Sequence, residues 1–404
     1  MGKGENIMKK IVSLALSAIM ATGLVAGLSA CGETEVDYTL KPVAKSEVKV
    51  GYILLHDENS TYDLNFLNAA NRAKANMGLS DSQVIIKKNI EEGQGCYEAA
   101  ADLVDQGCDV IFADSFGHED FIIQAAAEFP QVRFCHATGT KAHTTNLPNI
   151  HNAFASIYEG RYLAGVAAGM KLVEMGETKM GYVGAFPYAE VISGYTSFYL
   201  GAKSVCADVT MDVTFTNSWY DPTAEANGAE LLITSGAKLI SQHADSMGAP
   251  SVCESNNVPN VSYNGSTATA CPNTFIVSSY IDWTPYFEYM INCVIDGVKI
   301  ATDWCGTIAT GSVKLTEFGA NAPAAGTADA VATAKANLLN GTLKVFNTAN
   351  FRVGGQTITS YLADVHNRNF AHDTESIVNG IFEESSLRSA PYFDVKIDGI
   401  TILE

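Results

Sequence analysis

The stretch "VKVGYILL" (48–55) begins the pattern that decides the fold of this chain. Its residues are almost all apolar, which is typical of a strand buried on both faces of a sheet. The segment "LNFLNAANRAKANMG" (64–78) follows, with apolar residues at helical spacing. A buried strand followed by such a helix is the repeating unit of a parallel α/β sheet.

The same alternation continues along the chain in two series. The first includes "DVIFADS" (109–115) and "VRFCHAT" (132–138). The second begins with a long helix at about 157–175 and includes "KMGYVGAF" (179–186) and "KLISQHA" (238–244). Because the chain is too long for one hydrophobic core, the two series predict two doubly wound lobes that face each other.

The amino terminus has the order of a secretory signal. Lys9 and Lys10 precede an apolar run, and "LSAC" (28–31) resembles a bacterial lipobox. We therefore predict a signal peptide over 1–30, lipid on Cys31 and a tether over 31–46. An uncleaved membrane anchor is the alternative, since about 20 apolar residues can span a bilayer. Either reading places the rest of the chain outside the cytoplasm, held at the cell membrane.

The charge of the chain argues against a nucleic-acid partner. The formal net charge is −19, and loss of residues 1–30 would make it −21. Proteins that bind nucleic acid need a basic face, which such a balance disfavours. A strongly acidic surface also keeps a tethered protein soluble and away from anionic lipid.

Eight cysteines follow Cys31, at irregular spacing. An exported chain permits disulfides, but a chain of this size does not need them for stability. We expect mostly free, buried thiols, with Cys253–Cys271 as the first candidate for a bridge. No Cys/His spacing suggests zinc, so the sequence predicts neither a metal nor a cofactor.

Candidate ligand-binding residues lie where the predicted strands end, because parallel sheets bind ligands beyond the carboxyl ends of their strands. These candidates are His56, Asp57, Asn59, Tyr62, Asp63, Asp114, Phe186, Trp219, His243, Asp245, Asn264 and Trp283. Aromatic faces combined with carboxylates and amides suit a flat polar ring.

Several candidates also have a purely structural interpretation. Asp57, Asn59 and Asp114 could cap the helices that follow them. Tyr62 could be an ordinary helix-face aromatic residue, and the histidines could be structural.

The chain carries no motif of a familiar enzyme class. It has no G-x-S-x-G elbow, no P-loop and no G-x-G-x-x-G after its first strand. The sequence therefore predicts a binding protein. A hydrolase stays open as an alternative, because spacing alone does not reveal paired carboxylates.

Four segments together resemble the basic membrane protein family. They are "HDENSTYDLNFLNAA" (56–70), "GYVGAFPYAEVISGYTSFYLGAK" (181–203), "GAKLISQHADSMGAP" (236–250) and "VSYNGS…SSYIDWTPYF" (261–266 and 278–287). The resemblance covers about residues 47–345. It implies a lipoprotein of an ABC transporter with the type I periplasmic-binding fold. Family members with known ligands mostly bind purine nucleosides between the lobes.

The resemblance also implies roles for individual residues. Tyr62 would stack on the base, Asp114 and Asp245 match acidic positions of the family, and Tyr195 matches an aromatic one.

Two positions depart from the family pattern. Asn264 replaces an aspartate, and Asp282 replaces a lysine next to Trp283. Trp219 and Trp283 are expected to supply stacking in compensation.

The type I arrangement implies that the chain crosses between its lobes near 155, 284 and 308. Lobe 1 would comprise 47–155 plus 284–308, and lobe 2 would comprise 156–283 plus 309–404, with an extension from about 346 packed on lobe 2. We expect a monomeric receptor that closes about a hinge on a purine nucleoside or nucleobase and passes it to an ABC permease. The alternatives are another small solute, such as a sugar or signalling molecule, and a surface nucleoside hydrolase.

Overall fold

The computed structural model describes residues 41–367, 369 and 371–403. The predicted signal peptide, the lipidation site Cys31 and most of the predicted tether lie outside the described residues. Among the residues that are described, no helix combines the length and apolarity that crossing a membrane requires.

Seventeen strands occur in the described part of the chain. They are β1 (Val50–Ile53), β2 (Val84–Lys87), β3 (Val110–Ala113), β4 (Arg133–Ala137), β5 (Ile150–Ala155), β6 (Lys179–Gly184), β7 (Thr210–Phe215), β8 (Ile240–Gln242), β9 (Asn260–Tyr263), β10 (Phe275–Ile281), β11 (Asp303–Gly306), β12 (Val313–Leu315), β13 (Leu362–Ala363), β14 (Thr374–Glu375), β15 (Ile377–Val378), β16 (Ile381–Phe382) and β17 (Ile400–Ile402).

Nine α-helices accompany these strands within the same described residues. They are α1 (Thr61–Met77), α2 (Gln94–Asp105), α3 (Glu119–Glu128), α4 (Ile157–Met175), α5 (Ala189–Lys203), α6 (Pro222–Thr234), α7 (Gly248–Asn256), α8 (Thr284–Asp296) and α9 (Thr327–Leu339).

The strands form two large sheets. The first has the order β11-β5-β4-β3-β1-β2 and is parallel throughout. The second has the order β12-β10-β9-β8-β6-β7-β17 and is parallel except for β12. We call the first sheet with its helices lobe 1 and the second sheet with its helices lobe 2. The predicted class, two doubly wound parallel sheets, is confirmed.

The chain passes between the two sheets three times. It leaves lobe 1 after β5 and enters α4, and it returns after β10 through α8 to β11. It then crosses again to β12. Three chain segments therefore connect the two lobes, and such connections can act as a hinge.

Local sequence explains how α1 begins and ends. The Ser60 side chain accepts a hydrogen bond from the Asp63 backbone N–H at 3.2 Å, and Gly78 ends the helix with φ 64°. Asp57 instead accepts from the backbone and side-chain nitrogens of Asn59, at 3.0 and 2.8 Å. The cap is therefore Ser60, and Asp57 and Asn59 form the turn before it.

Two glycines allow α4 and α5 to pack backbone against backbone. A Cβ atom at Gly165 would lie 2.0 Å from the carbonyl oxygen of Phe198, and one at Gly201 would lie 2.0 Å from that of Tyr162. Any larger residue would push the helices apart. This contact fixes α5, whose first turn reaches the space between the lobes.

All eight cysteines among the described residues are unpaired, so the expected Cys253–Cys271 bridge is wrong. Cys253 lies on the buried face of α7, where the Asn260 amide nitrogen lies 3.8 Å from its Sγ. Burial raises the pKa of Cys253 to about 12 and that of Cys271 to about 11. Both therefore stay as thiols, the unreactive form in disulfide exchange.

Residues 346–403, which we call the C-terminal segment, contact both lobes. Through β17 the segment adds a strand beside β7 of lobe 2. The Ser193 hydroxyl of α5 donates to Glu384 at 2.5 Å. On the other side, the backbone N–H and hydroxyl of Ser389 donate to Asp303 of β11 at 2.9 and 2.8 Å. The segment thus spans the two lobes.

Glu384 makes stability depend on pH. Burial raises the pKa of this carboxyl from its ordinary 4.5 to about 8. The folded protein therefore keeps a proton that the unfolded chain releases, and the free energy of unfolding falls as pH rises between these values. The Glu384→Gln side chain does not ionise. We expect the melting temperature of this variant to lie a few degrees above that of wild type at about pH 8 to 9 and to equal it near pH 4.5.

The measurement is a set of thermal melts across this pH range. Glu230→Gln, at an exposed position of α6, is the matched control and should track wild type at each pH. A Glu384→Gln curve parallel to wild type throughout would contradict the assignment.

Candidate functional site

A narrow cavity lies between the lobes at the carboxyl ends of their strands. The space that the centre of a water molecule can reach in it is about 30 Å³. Its lining residues are Leu55, His56, Tyr62, Asp63, Ser115, Phe116 and Thr138 from lobe 1, and Glu190, Trp219, His243, Asp245 and Tyr263 from lobe 2. We call it the inner cavity. Aromatic rings in its wall suit a flat guest.

Six of the residues predicted from the sequence line the inner cavity. They are His56, Tyr62, Asp63, Trp219, His243 and Asp245. The other seven predicted ligand-binding residues do not line it. They are Asp57, Asn59, Asp114, Phe186, Tyr195, Asn264 and Trp283.

Asp63 and Asp114 form a buried carboxyl pair at the lobe 1 wall. The Asp63 Oδ1 accepts from the His56 backbone N–H at 2.8 Å, and the Asp114 Oδ1 accepts from that of Leu55 at 3.0 Å. Burial, with the neighbouring Asp63 carboxylate, raises the pKa of Asp114 well above its usual value. Burial opposes ionisation of Asp63 too, but hydrogen bonds from His56 and Ser60 lower its pKa overall. Asp114 therefore holds a proton and Asp63 the charge.

Tyr62 is fixed in the cavity wall by both its ends. Its hydroxyl donates to the Asp114 carbonyl oxygen at 2.6 Å, and its ring meets the edge of Phe66 with centroids 4.8 Å apart. A ring held in this way is a preorganised stacking surface. Asp114 supports the site from behind, through Tyr62 and Asp63.

Lobe 2 contributes a buried chain of polar groups that ends in Glu190. Arg161 of α4 donates to the carbonyl oxygen of Gln242 at 2.9 Å, and its Nη2 lies 3.1 Å from the Nδ1 of His243. Because a guanidinium only donates, this Nδ1 accepts and the proton is on Nε2, which faces the Glu190 carboxylate at 3.4 Å. Burial lowers the pKa of His243, which keeps the ring neutral.

Glu190 was not predicted from the sequence. It lies in the first turn of α5, where an acidic residue is ordinarily read as a favourable interaction with the helix dipole. Only the fold brings it against His243 and into the cavity. The Arg161 guanidinium also lies 3.5 Å from the centroid of the Tyr263 ring, which it holds in the lobe 2 wall.

Asp245 and Asn264 lie where the lobes touch. The Asn264 amide donates to Asp245 Oδ1 at 3.1 Å, and the Asn65 amide of α1 lies 3.3 Å from the Asn264 oxygen. The Thr61 hydroxyl donates to the Asp245 carbonyl oxygen at 3.1 Å. Burial raises the pKa of Asp245 well above its usual value, and repulsion from the nearby Glu225 carboxylate is the second cause. Asn264 thus positions Asp245 and lies behind it.

Aromatic residues of lobe 2 support Trp219 at the cavity wall. Phe186 meets the Trp219 ring edge-on at 5.1 Å and stacks on Tyr188 at 5.1 Å with an interplanar angle of 12°. Tyr188 in turn contacts Phe116 of lobe 1, with centroids 5.6 Å apart. Phe186 therefore holds Trp219 in place from outside the inner cavity.

Trp283 and Tyr195 lie in the core. Trp283 is 1% exposed and stacks on Phe66 at 4.6 Å. Tyr195 is 2% exposed and packs edge-on against Tyr182. Both positions match a role in packing.

Asp282, which is predicted from the sequence to replace a lysine of the family pattern, joins the two lobes outside the cavity. Arg72 of α1 and Lys314 of β12 each donate to its carboxylate at 2.7 Å. Burial opposes ionisation, but these two cations lower the pKa of Asp282 to about 2. This ion triad lies beside the crossing from β10 to α8.

The residues of the site are of types that bind a ligand through stacking and hydrogen bonds. Within the described residues, no group of three His, Cys, Asp or Glu side chains is placed to hold a metal ion. The inner cavity instead combines aromatic faces with three acidic side chains, Asp63, Glu190 and Asp245. Such a set can stack on a flat ring and hydrogen-bond to its edge.

Comparisons with known proteins give a family and several relatives, of which two are as follows. Residues 54–336 match the family described as "Bmp: ABC transporter substrate-binding protein PnrA-like". A purine-binding protein of Brucella abortus (strain 2308) is 32% identical over 277 residues, 68% of this chain and 77% of that protein. A putative ABC transporter glucose-binding protein of Haloferax volcanii is 33% identical over 243 residues, 60% of this chain and 60% of that protein.

The fold also matches a solved structure. An ABC transporter solute-binding protein from Conexibacter woesei superposes with a TM-score of 0.62 at 20% identity. The match covers 74% of this chain and 98% of that one. At this identity the likeness concerns the fold, and it agrees with the two-lobed arrangement described above.

Proposed function

From the premise that the chain belongs to the Bmp family of ABC transporter substrate-binding proteins, we propose that it captures a purine, as nucleoside or free base, between its lobes. The observation that carries the proposal is the lining of the inner cavity, which combines the rings of Tyr62 and Trp219 with acidic side chains. A purine has two π-faces for the rings and an edge of N–H donors and nitrogen acceptors for the acids. The named ligand of the Brucella relative agrees with this choice.

The acidic residues of the cavity offer different hydrogen-bonding groups to the ligand. Asp63 accepts N–H groups as a carboxylate. Asp245, with its raised pKa, presents one donor and one acceptor. Glu190, held by His243, accepts from the side of lobe 2. The ligand is thus held by groups of both lobes at once, which stabilises the closed arrangement over the open one.

Hinge closure follows from the contacts between the lobes. Thr61 and Asn65 of lobe 1 contact Asp245 and Asn264 of lobe 2 beside the cavity. These contacts form only when the lobes meet, so a ligand that favours closure also favours them. An ABC permease would read the closed shape and accept the solute.

A lipid on Cys31 would hold the receptor, as a monomer, at the outer side of the cell membrane after removal of residues 1–30. Tethering raises the effective concentration of the receptor near the permease without any new contact.

A second candidate ligand is a sugar, because the Haloferax relative is named as a putative glucose-binding protein. A sugar would stack one apolar face on Trp219 and direct its hydroxyl groups to the acidic residues. It would leave the second aromatic wall without a flat partner.

The test is thermal unfolding and isothermal titration with adenine, hypoxanthine, adenosine, inosine and glucose. A ligand at about 100 times its Kd stabilises the folded state by about 2.7 kcal/mol. We expect that stabilisation from purines and none from glucose.

Chromatography of the nucleoside mixtures adds a second readout. We expect no free base beyond the amount of protein present. Steady release of base would instead indicate a hydrolase, and stabilisation by glucose alone would replace the purine with a sugar.

A further inference from the structure

The C-terminal segment lies beyond the part of the chain that defines the family. The family match ends at residue 336, whereas the segment comprises residues 346–403. Three crossings of the chain already connect the lobes, so the segment is not needed to hold them together. It nevertheless contacts both lobes, and its two attachments differ in kind.

Lobe 2 holds the segment by main-chain pairing and close packing. β17 runs parallel to β7, with Ile400 opposite Met211. Just before β17, Gly399 has φ 95°, and a Cβ atom at this position would collide with the Tyr199 hydroxyl of α5. The segment therefore joins the sheet of lobe 2 and lies directly against one of its helices.

Apolar packing strengthens the attachment to lobe 2. Phe346 and Phe393 of the segment stack at 4.2 Å, and Phe346 also lies 5.1 Å from the ring of Tyr158 in α4. Both phenylalanines are almost fully buried, as is Glu384, which accepts from the Ser193 hydroxyl of α5. Separation of the segment from lobe 2 would expose these rings to water and break the strand pairing, so this attachment persists when the lobes move.

The attachment to lobe 1 is polar and centres on one carboxylate. The backbone N–H and the hydroxyl of Ser389 both donate to Asp303 Oδ1, at 2.9 and 2.8 Å. The other carboxylate oxygen lies 3.6 Å from the Nδ1 of His143, which also belongs to lobe 1. Arg388 donates to the Pro391 carbonyl oxygen at 2.8 Å and so fixes the turn that presents Ser389. Hydrogen bonds of this length are lost once their atoms move apart by about 1 Å.

The two attachments are close together in the sequence. Glu384 bonds to lobe 2 and Ser389 bonds to lobe 1, and the chain between them spans at most about 18 Å even when fully extended. Asp303 lies at the start of β11, about 10 Å from the end of this strand, where the chain crosses to β12. Rotation of the lobes about their crossings therefore moves Asp303 away from Ser389. The polar attachment is the weaker one, so it is the one that breaks.

We propose that the C-terminal segment is a strap between the lobes: it stays anchored in lobe 2, and its Ser389–Asp303 contact stabilises the closed arrangement until the lobes open. This inference rests on the proposed hinge closure and adds to it a restraint that acts without a ligand. The strap raises the closed fraction of the ligand-free protein, and it slows the exchange of any solute that enters or leaves through the open form.

Fluorescence energy transfer between the lobes tests the strap in the ligand-free protein. Fluorophores on unnatural amino acids at positions Glu91 and Thr223, which are exposed beyond the carboxyl ends of β2 and β7, report the distance between the lobes. We expect Asp303→Ala to raise the ratio of open to closed molecules about tenfold. Ser389→Ala keeps the backbone donor and should raise it about threefold. Asp303→Asn keeps an acceptor oxygen and should stay within about twofold of wild type.

Two further variants are the controls. His143→Ala removes the other partner of Asp303 within lobe 1, and Asp296→Ala changes an exposed residue of α8. Neither should change the ratio of open to closed molecules. The strap is overturned if Asp303→Ala and Ser389→Ala leave the ratio as in wild type, or if His143→Ala raises it as much as they do.

Addition of adenosine separates this inference from the proposed function. Adenosine should return the opened Asp303→Ala variant to the closed arrangement, because the ligand contacts both lobes. An Asp303→Ala variant that is open and stays open with adenosine would contradict closure on a purine and leave the strap standing.

Discussion

Replacing Trp283 by alanine is expected to lower the free energy of unfolding by about 3–5 kcal/mol. The side chain is almost fully buried, stacks on Phe66 at 4.6 Å and lies 5.7 Å from Phe112. Its removal leaves a large void in lobe 1 that rigid aromatic neighbours cannot fill. Urea unfolding followed by circular dichroism measures the loss. Under conditions where the variant is folded, its affinity for the ligand should stay within about twofold of wild type.

Trp219→Ala is the matched control, because it removes the same side chain from the cavity wall. Trp219 is half-buried and lines the inner cavity. Its loss should weaken ligand binding by about 1–3 kcal/mol, the usual contribution of a base stacked on an aromatic ring. Trp283→Ala should therefore lower mainly the stability of the protein, and Trp219→Ala should lower mainly its affinity for the ligand. A Trp283→Ala variant that folds as well as wild type but fails to bind would place that residue in the site.

The different positions of these two tryptophans show what sequence can and cannot predict. Both follow directly after a predicted strand, so both were expected at the ligand. Trp283, however, also begins an apolar stripe with Phe287, Met290 and Val294 at helical spacing. That periodicity turns Trp283, the residue just before α8, inward against α1. Trp219 belongs to no such stripe, and it stays at the cavity.

The alternation of strands and helices could be predicted from the sequence because each type of element has its own periodicity, set by local geometry. The pairing of side chains around the cavity could not be predicted, since it comes from tertiary contacts. Glu190 meets His243 from 53 residues away, and no local pattern marks that pairing. The C-terminal segment has little regular structure beyond short strands, so periodicity could not indicate that it spans both lobes.

Asp245→Ala is expected to weaken binding of the purine by about 2–3 kcal/mol, or about 30-fold to 150-fold. The variant removes the ligand's hydrogen-bond partner and also strands the amide of Asn264, which donates to Asp245 at 3.1 Å. Titration calorimetry at neutral pH measures the loss. Asp57→Ala, in the turn outside the cavity, is the control and should bind as wild type does.

Asp245→Asn distinguishes a neutral acid from a carboxylate at this position. Burial raises the pKa of Asp245 well above its usual value, so at neutral pH the group offers one donor and one acceptor. An asparagine amide offers both as well, and the variant should therefore stay within about fivefold of wild type. For wild type, affinity should fall as pH rises through the raised pKa, because ionisation removes the donor, whereas Asp245→Asn should show no such fall. If Asp245→Asn binds as weakly as Asp245→Ala, the ligand requires a negative charge there, and Asp245 must be ionised in the complex.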